Sequence, residues 1–224
     1  MISRVRLVAD LYPPYQFEEH GIIRGVDHDV IAESFKIQNI KAETTLHSWD
    51  ECMSMMDSGK ADGIFQITTT PERKARFLLS EQLRAASTLF FKRAGFSKDL
   101  DSNVDLASQL KGMKTGLLSG YSYDPAVDSL SDELKVATDS SESLLFGLRQ
   151  GEFDLALMER GVAAYLMARL RIEEIDNIPG YEIQRQLYVA FQKDLTELAS
   201  HFNTGLRKIK ESGVYDEIFR KYGL

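Results

Sequence analysis

The chain is poor in the residues from which stapled, metal-bound or nucleic-acid-binding proteins are built. It has one cysteine, Cys52, in 224 residues, so no internal disulfide can form. The four histidines, His20, His28, His47 and His201, share no spacing with Cys52 or one another that would suggest a zinc cluster or a triad. No metal and no cofactor is therefore expected, and Cys52 is expected to lie buried in a helix, "DECMSMM". Basic residues are not in excess: 27 Lys and Arg stand against 34 Asp and Glu, a formal net charge of −7. The basic face that phosphate contacts require is missing, which argues against a nucleic-acid partner. No apolar run approaches the ~18 residues of a membrane span. Nor is a signal peptide expected within this sequence, because "MISRVRLVAD" runs from Met1 straight into a strand pattern. Either the protein is cytoplasmic, or a leader has been removed and Met1 is foreign to the mature chain.

What is present is ordinary for a globular protein, with 43% hydrophobic and 27% charged residues, enough for one large domain or two small ones. Short β-rich runs alternate with amphipathic stretches, the signature of an α/β class with substantially parallel sheets. Strands are expected at 4–10, 41–46, 62–66, 85–92, 114–118, 134–138, 154–158 and 187–192. Helices are expected near 27–37, 49–58, 71–76, 103–111, 123–130, 140–150, 159–170, 195–212 and 214–222. An internal echo links "MMDSGKADGIF" to "GLRQGEFDLAL". In each, a helix closes on glycine (Gly59, Gly151), two residues follow, and an aspartate (Asp62, Asp154) opens a buried strand. With the overall alternation, the echo suggests two lobes of similar build.

The stretch "TTTPERK" carries the first chemical signal. Thr70-Pro71-Glu72 reads as a helix start, with Thr70 as N-cap and proline at the first helical position. A cation in the first turn, Arg73, is mildly unfavourable there, so something should compensate. A bound carboxylate or phosphate would do so, and plain solvation is the alternative. In open α/β sheets ligands gather beyond the carboxyl ends of the strands. That rule points to Gln66 through Arg73 after the first echo strand and to Met158-Glu159 after the second. If two lobes face one another, a cation and an anion meet, and a small zwitterion satisfies both.

The chain resembles the periplasmic solute-binding proteins of the polar amino acid type, family 3. The matching pieces come in family order: "YPPYQF", "GIIRGVDHDVIAESF", "WDECMSMMDSGKADGIF", "TTTPERKARFLLSEQL", "LKGMKTGLLSGYSY", "QGEFDLALMERGVAAYL" and "FNTGLRKIKESGVYDEIFRKYGL". The resemblance implies a type 2, Venus-flytrap α/β architecture, with residues 1–91 and 192–224 as one lobe and 92–191 as the other. "TLFFKRAG" and "LYVAFQKD" suit the two hinge crossings. It implies a ligand held between the lobes and a hinge closure around it. Arg73 stands where the family clamps the ligand α-carboxylate, Thr68 where a hydroxyl assists, and Gln66 or Ile67 where main-chain groups meet the ammonium. Tyr12 matches the aromatic that stacks on the ligand side chain and Trp49 the wall opposite. Ser119, Tyr121 and Ser122 belong to the loop whose main-chain N–H groups also hold the carboxylate, and Glu159 matches the acid that receives the ammonium.

Two departures from the family pattern stand out. Between Asp62 and Pro71 the chain is one residue shorter, with "IFQITTT" replacing a Ser-Gly-bearing loop. The acid at 159 is glutamate where aspartate is usual, which moves the carboxylate by about 1.3 Å or more and opens the way to a non-standard amino compound. Asp10, at the end of the first strand, would lie near a ligand's distal end and favour a cationic side chain if it faces the cleft. Each of these residues also has a plain structural reading. Glu159 can stabilise the first turn of its helix, Tyr12 can plug a core, Trp49 can anchor the helix it begins, Tyr121 can cover a surface turn, and Asp10 can be solvated.

The expected function is a monomeric binding protein without chemistry, in the periplasm or outside the cell, that hands an amino acid to the permease subunits of an ABC importer. One alternative is the ligand-sensing outer domain of a receptor kinase or cyclase. Another is a cyclohexadienyl-type dehydratase, for which Glu159 is the one acid to name, with no second acid or base placed beside it.

Overall fold

The computed structural model describes residues 2–119 and 123–224, and the chain divides into two compact units. Unit 1 comprises Met1–Ala85 and Arg185–Leu224, and unit 2 comprises Ala86–Gln184. The chain therefore passes between them at 85/86 and 184/185, where the resemblance implies boundaries at 91/92 and 191/192.

Unit 1 is built on four strands in the order β4(Lys41–Leu46), β1(Arg4–Ala9), β5(Gly63–Ile67) and the part of β11(Ile175–Phe191) from Arg185 onward. β1 runs parallel to β4 and β5, with Leu7 opposite Thr44 and Gly63, whereas β11 is antiparallel to β5. A two-residue strand, β6(Leu78–Leu79), also pairs with β11. Val5, Leu7, Val8 and Ala9 are buried in β1, so its neighbours close over it on both faces. Helix α1(Val26–Lys36) packs against α8(Thr196–Glu211), where a Cβ placed on Gly205 would lie 1.9 Å from the Ser34 carbonyl oxygen. Beneath them Phe35, Phe191 and Phe202 form a buried aromatic cluster with ring centroids 5.3 to 6.3 Å apart. Helix α2(Trp49–Asp57) starts at a capping box between Ser48 and Glu51 and buries Cys52, as the sequence suggests. Helix α9(Val214–Lys221) closes the chain; next to it, the Tyr222 hydroxyl accepts from Gly25 N–H and donates to Asp29.

Unit 2 carries strands in the order β7(Arg84–Arg93), β10(Leu155–Glu159), β8(Thr115–Leu118) and β9(Lys135–Thr138). β10 is antiparallel to β7 and parallel to β8, which is in turn parallel to β9. Leu106 and Leu110 of α4(Leu106–Leu110) and Val127 of α5(Pro125–Asp128) cover Phe90, Leu117, Leu155 and Leu157. α6(Ser141–Gln150) packs on β8 and β10, with the Phe153 ring lying against Gly116 and Gly147, neither of which has a side chain to obstruct it. α7(Arg160–Leu170) follows β10 directly.

The Gly-x-x-Asp echo has the same structural use in both units. Gly59 and Gly151 take positive φ, 67° and 81°, at the turn out of their helices. Asp62 N–H then donates to Arg6 O (2.9 Å) while Asp62 Oδ2 accepts from Arg6 N–H (2.7 Å). Asp154 makes the same reciprocal pair with Lys114, at 2.8 and 2.9 Å. Each aspartate thus pins the start of its strand to the parallel neighbour.

Three features depart from the sequence reading. A hairpin, β2(Phe17–Glu19) and β3(Ile22–Arg24), turns on His20 and Gly21, both at positive φ. β11 begins twelve residues before the expected 187, so "IDNIPGYEIQRQ" is strand despite its proline and glycine. Helices α4 and α5 are shorter than expected, because Asp105 and Asp124 cap them from inside the stretch that reads as helix.

Candidate ligand-binding site

In unit 1 the carboxyl ends of β1, β4 and β5 deliver most of the residues that the sequence nominates. β5 ends at Ile67, whose side chain is fully buried, so only its main chain can face a ligand. Beyond it α3(Pro71–Arg76) begins, with Thr70 as N-cap: its hydroxyl accepts from Arg73 N–H at 3.1 Å, and Pro71 occupies the first turn. The Arg73 side chain then folds back from α3 to Thr68, just past the end of β5. Its Nη1 donates to the Thr68 carbonyl (3.1 Å) and to Thr68 Oγ1 (2.7 Å), and its guanidinium carbon lies 5.3 Å from the centre of the Trp49 ring. Trp49 is held in turn by Val8, Cys52 and neighbouring core side chains, so packing and cation–π stacking share one residue.

Arg73 is half-buried, and among the described residues no carboxylate forms an ion pair with it. Burial pulls its pKa below the ordinary arginine value, with the Glu72 charge opposing the shift. Such a cation has lost part of its hydration and gained only neutral acceptors, which is the electrostatic condition for binding an anion.

A second group gathers where β1 ends. Asp10 is half-buried, and burial raises its carboxyl above the usual range, against hydrogen bonds from its own backbone and from Gln16 Nε2 at 3.4 Å. The same Gln16 nitrogen donates to Gln66 Oε1. Asp10 lines a pocket of about 480 Å³ with Leu11, Glu18, Leu46, His47 and Ser48. Tyr12 is half-buried and forms a tight turn with Gln16; its ring lies 6.0 Å from that of Tyr15 at an interplanar angle of 17°. Tyr15 is in turn covered by the Arg84 guanidinium, whose carbon is 3.4 Å from the ring centre.

In unit 2, Glu159 ends β10 and caps α7, its carboxylate accepting from Val162 N–H at 2.9 Å. The capping role that the sequence offers as the structural alternative is therefore present. Ser119, after β8, is exposed; its N–H donates to Thr138 O (2.9 Å) and its hydroxyl lies 3.4 Å from Asp139 Oδ1. Tyr121 and Ser122 lie outside the described residues. A groove of about 640 Å³ between Leu89, Phe91, Met167 and the stretch 177–182 contains none of the nominated residues.

Two elements of these sites escape the sequence reading. Gln16 is visible there only as part of an aromatic, proline-rich turn, and its partner Gln66 is 50 residues away. The pair Asp27–Arg84 joins α1 to β7 with both side chains buried, and neither residue stands in a pattern that announces the other.

Comparison with known proteins identifies the family and the fold. A probable histidine-binding protein of Neisseria gonorrhoeae is 26% identical over 226 residues, covering 99% of this chain and 82% of that protein. A lysine/arginine/ornithine-binding periplasmic protein of Escherichia coli K12 is 24% identical over 232 residues, covering 97% and 86%. Among solved structures, an ancestral arginine-binding protein bound to arginine superposes with a TM-score of 0.77 at 22% identity, over 99% of both chains. That likeness shows the α/β fold of type 2 periplasmic binding proteins. Among the described residues no helix is long and apolar enough to cross a membrane. The model of the bacterial extracellular solute-binding proteins, family 3, matches residues 5–224, and the chain belongs to that family.

Proposed function

We propose that this protein binds an amino acid with a basic side chain in the periplasm or outside the cell and delivers it to the permease subunits of an ABC importer, without chemical turnover. The observation that carries the proposal is Arg73: a half-buried guanidinium, fixed by Thr68 and Trp49, with no carboxylate partner among the described residues. Two parallel charge-assisted hydrogen bonds from arginine suit the α-carboxylate of an amino acid. Tyr12 supplies an aromatic surface for the ligand's side chain, and the main chain at Gln66 and Ile67 supplies groups for its ammonium. Glu159, Ser119, Tyr121 and Ser122 are the proposed contributors from unit 2. A ligand that engages groups of both units stabilises only arrangements in which both sets of contacts are made.

The preference for a basic side chain rests on Asp10 and Glu18 in one pocket. A carboxyl whose ionised form is disfavoured by burial gains most from a cation. The names of the relatives, which bind histidine or lysine, arginine and ornithine, point the same way. The protein is proposed to act as a monomer.

The test is a thermal-shift panel of L-arginine, L-lysine, L-ornithine and L-histidine against L-glutamine and L-glutamate. A ligand at ~100 times its dissociation constant adds about 2.7 kcal/mol, so the basic members should raise the melting temperature by several degrees. A flat panel, or a shift confined to the acidic member, contradicts the proposal.

A further inference from the structure

Gln66 interrupts the strand that carries it. Phe65 pairs with Val189 and Ile67 with Tyr188, so between two consecutive partners on β11 the strand β5 holds one extra residue. That residue is Gln66, and its φ of 60° lies in the left-handed region, which any side chain disfavours. A bulge of this kind re-aims the chain beyond it. Here the re-aimed residues include Thr68 and Arg73.

The contact that holds Gln66 comes from the turn between β1 and β2. Gln16 is fully buried and donates Nε2 to Gln66 Oε1, and the same nitrogen lies 3.4 Å from Asp10 Oδ1. Gln16 is itself fixed by main-chain bonds to Tyr12, with Tyr12 N–H to Gln16 O at 2.9 Å and Gln16 N–H to Tyr12 O at 3.1 Å. Its own Oε1 is buried with no hydrogen-bond partner among the described residues. A leucine or methionine would fill the space without leaving that acceptor unsatisfied, so the amide must contribute something an apolar side chain does not.

We propose that Gln16 is a positioning residue for ligand binding: its amide holds the bulge at Gln66, and with it the course of the chain into Thr68 and Arg73, while orienting the Asp10 carboxylate. The inference rests on the reading of Arg73 as ligand anchor. Gln16 has no exposed surface and touches no ligand; it acts through Gln66 and Asp10. If the hold is lost and the bulge relaxes into regular strand, Ile67 exchanges faces, because side chains alternate with a period of two, and the chain leaves the sheet toward Thr68 and Arg73 on a different course. A glycine in place of Gln66 accepts positive φ without a hold, so Gln66→Gly should make the bulge independent of Gln16.

The test uses Gln16→Leu, Gln66→Gly and the double variant. Two readouts are isothermal titration with L-arginine, L-lysine and L-histidine, and the ligand-free fluorescence of the single tryptophan, Trp49, which stacks on Arg73. Gln16→Leu should stay folded by circular dichroism, bind at least about tenfold more weakly and shift the Trp49 emission. Adding Gln66→Gly should restore both readouts to about those of Gln66→Gly alone, a repair that a general packing defect would not show. A folded Gln16→Leu with wild-type affinity and emission overturns the proposal, as does a loss that Gln66→Gly fails to repair. If Gln16→Leu does not fold, the nearly isosteric Gln16→Met carries the same test. If the wild type binds none of the three amino acids, the functional reading fails. The emission then decides the positioning role alone: an unchanged spectrum sinks it, and a shift reversed by Gln66→Gly upholds it.

Discussion

The Asp27 carboxylate accepts from Arg84 Nε at 2.7 Å, with 1% and 2% of the two side chains exposed, and the Arg84 guanidinium also lies over Tyr15. The pair ties α1 to the first residue of β7 and supports the turn that presents Tyr12.

A buried pair contributes little compared with a well-packed apolar substitute, yet losing one partner strands a charge. Asp27→Ala is therefore expected to lower the unfolding free energy by about 3–5 kcal/mol in urea titrations. The double variant Asp27→Leu with Arg84→Met should lose clearly less than the sum of the corresponding single variants. Additive losses contradict the view that the charges are coupled.

Asp29 links α1 to the C-terminal residues through Lys221 Nζ and the Tyr222 hydroxyl, at 2.7 and 2.8 Å. Burial alone would raise its pKa, but hydrogen bonds from His28, Lys221 and Tyr222 outweigh it and hold the carboxyl at about 2. Because the folded value lies below that of the unfolded chain, Asp29 stabilises the fold fully above about pH 4 and loses this contribution as pH falls through about 2. The shift corresponds to about 2 kcal/mol. Urea midpoints of the wild type and Asp29→Asn should differ at about pH 6 and converge as the pH is lowered toward about 2. A gap that does not narrow contradicts the assignment.

Gly205 is a packing requirement. A Cβ there meets backbone, the Ser34 carbonyl at 1.9 Å, and neither helix can yield without moving the other. Gly205→Ala should destabilise the protein by about 1–3 kcal/mol, although alanine is the better helix former. A variant at least as stable as wild type would show that α1 and α8 can separate freely.

Regular elements are legible wherever a single period governs the run: "RVRLVA" and "TELASHFNTGLRKIKE" announce a buried strand and an amphipathic helix without help from the rest of the chain. The hairpin at 17–24 is not legible, because its turn is His20-Gly21 and its flanks are largely charged. The first half of β11 contains Pro179 and Gly180, which read as loop and are strand only through pairing. In the site, Arg73, Thr68 and Thr70 can be found because a helix start places them within six residues. Gln16, Gln66 and Asp10 meet through tertiary structure, and no local pattern encodes a contact across 50 residues of chain. The bulge at Gln66 sits in "GIFQITTT", where the resemblance alone suggests a departure from the family pattern, and its geometry comes only from the pairing of β5 with β11.

Ligand recognition as proposed turns on Arg73 as the carboxylate anchor, and the measurement that probes it is isothermal titration of wild type and Arg73→Ala with L-arginine and with L-argininamide, whose carboxylate is replaced by a neutral amide. The wild type should bind L-arginine at least about tenfold more tightly than the amide. Arg73→Ala, with an unchanged apo circular dichroism spectrum, should lose about 2–5 kcal/mol of L-arginine affinity, roughly 30-fold to several thousandfold, and no longer distinguish the two ligands. Wild-type affinity in Arg73→Ala, or equal affinity of the wild type for both ligands, contradicts the assignment.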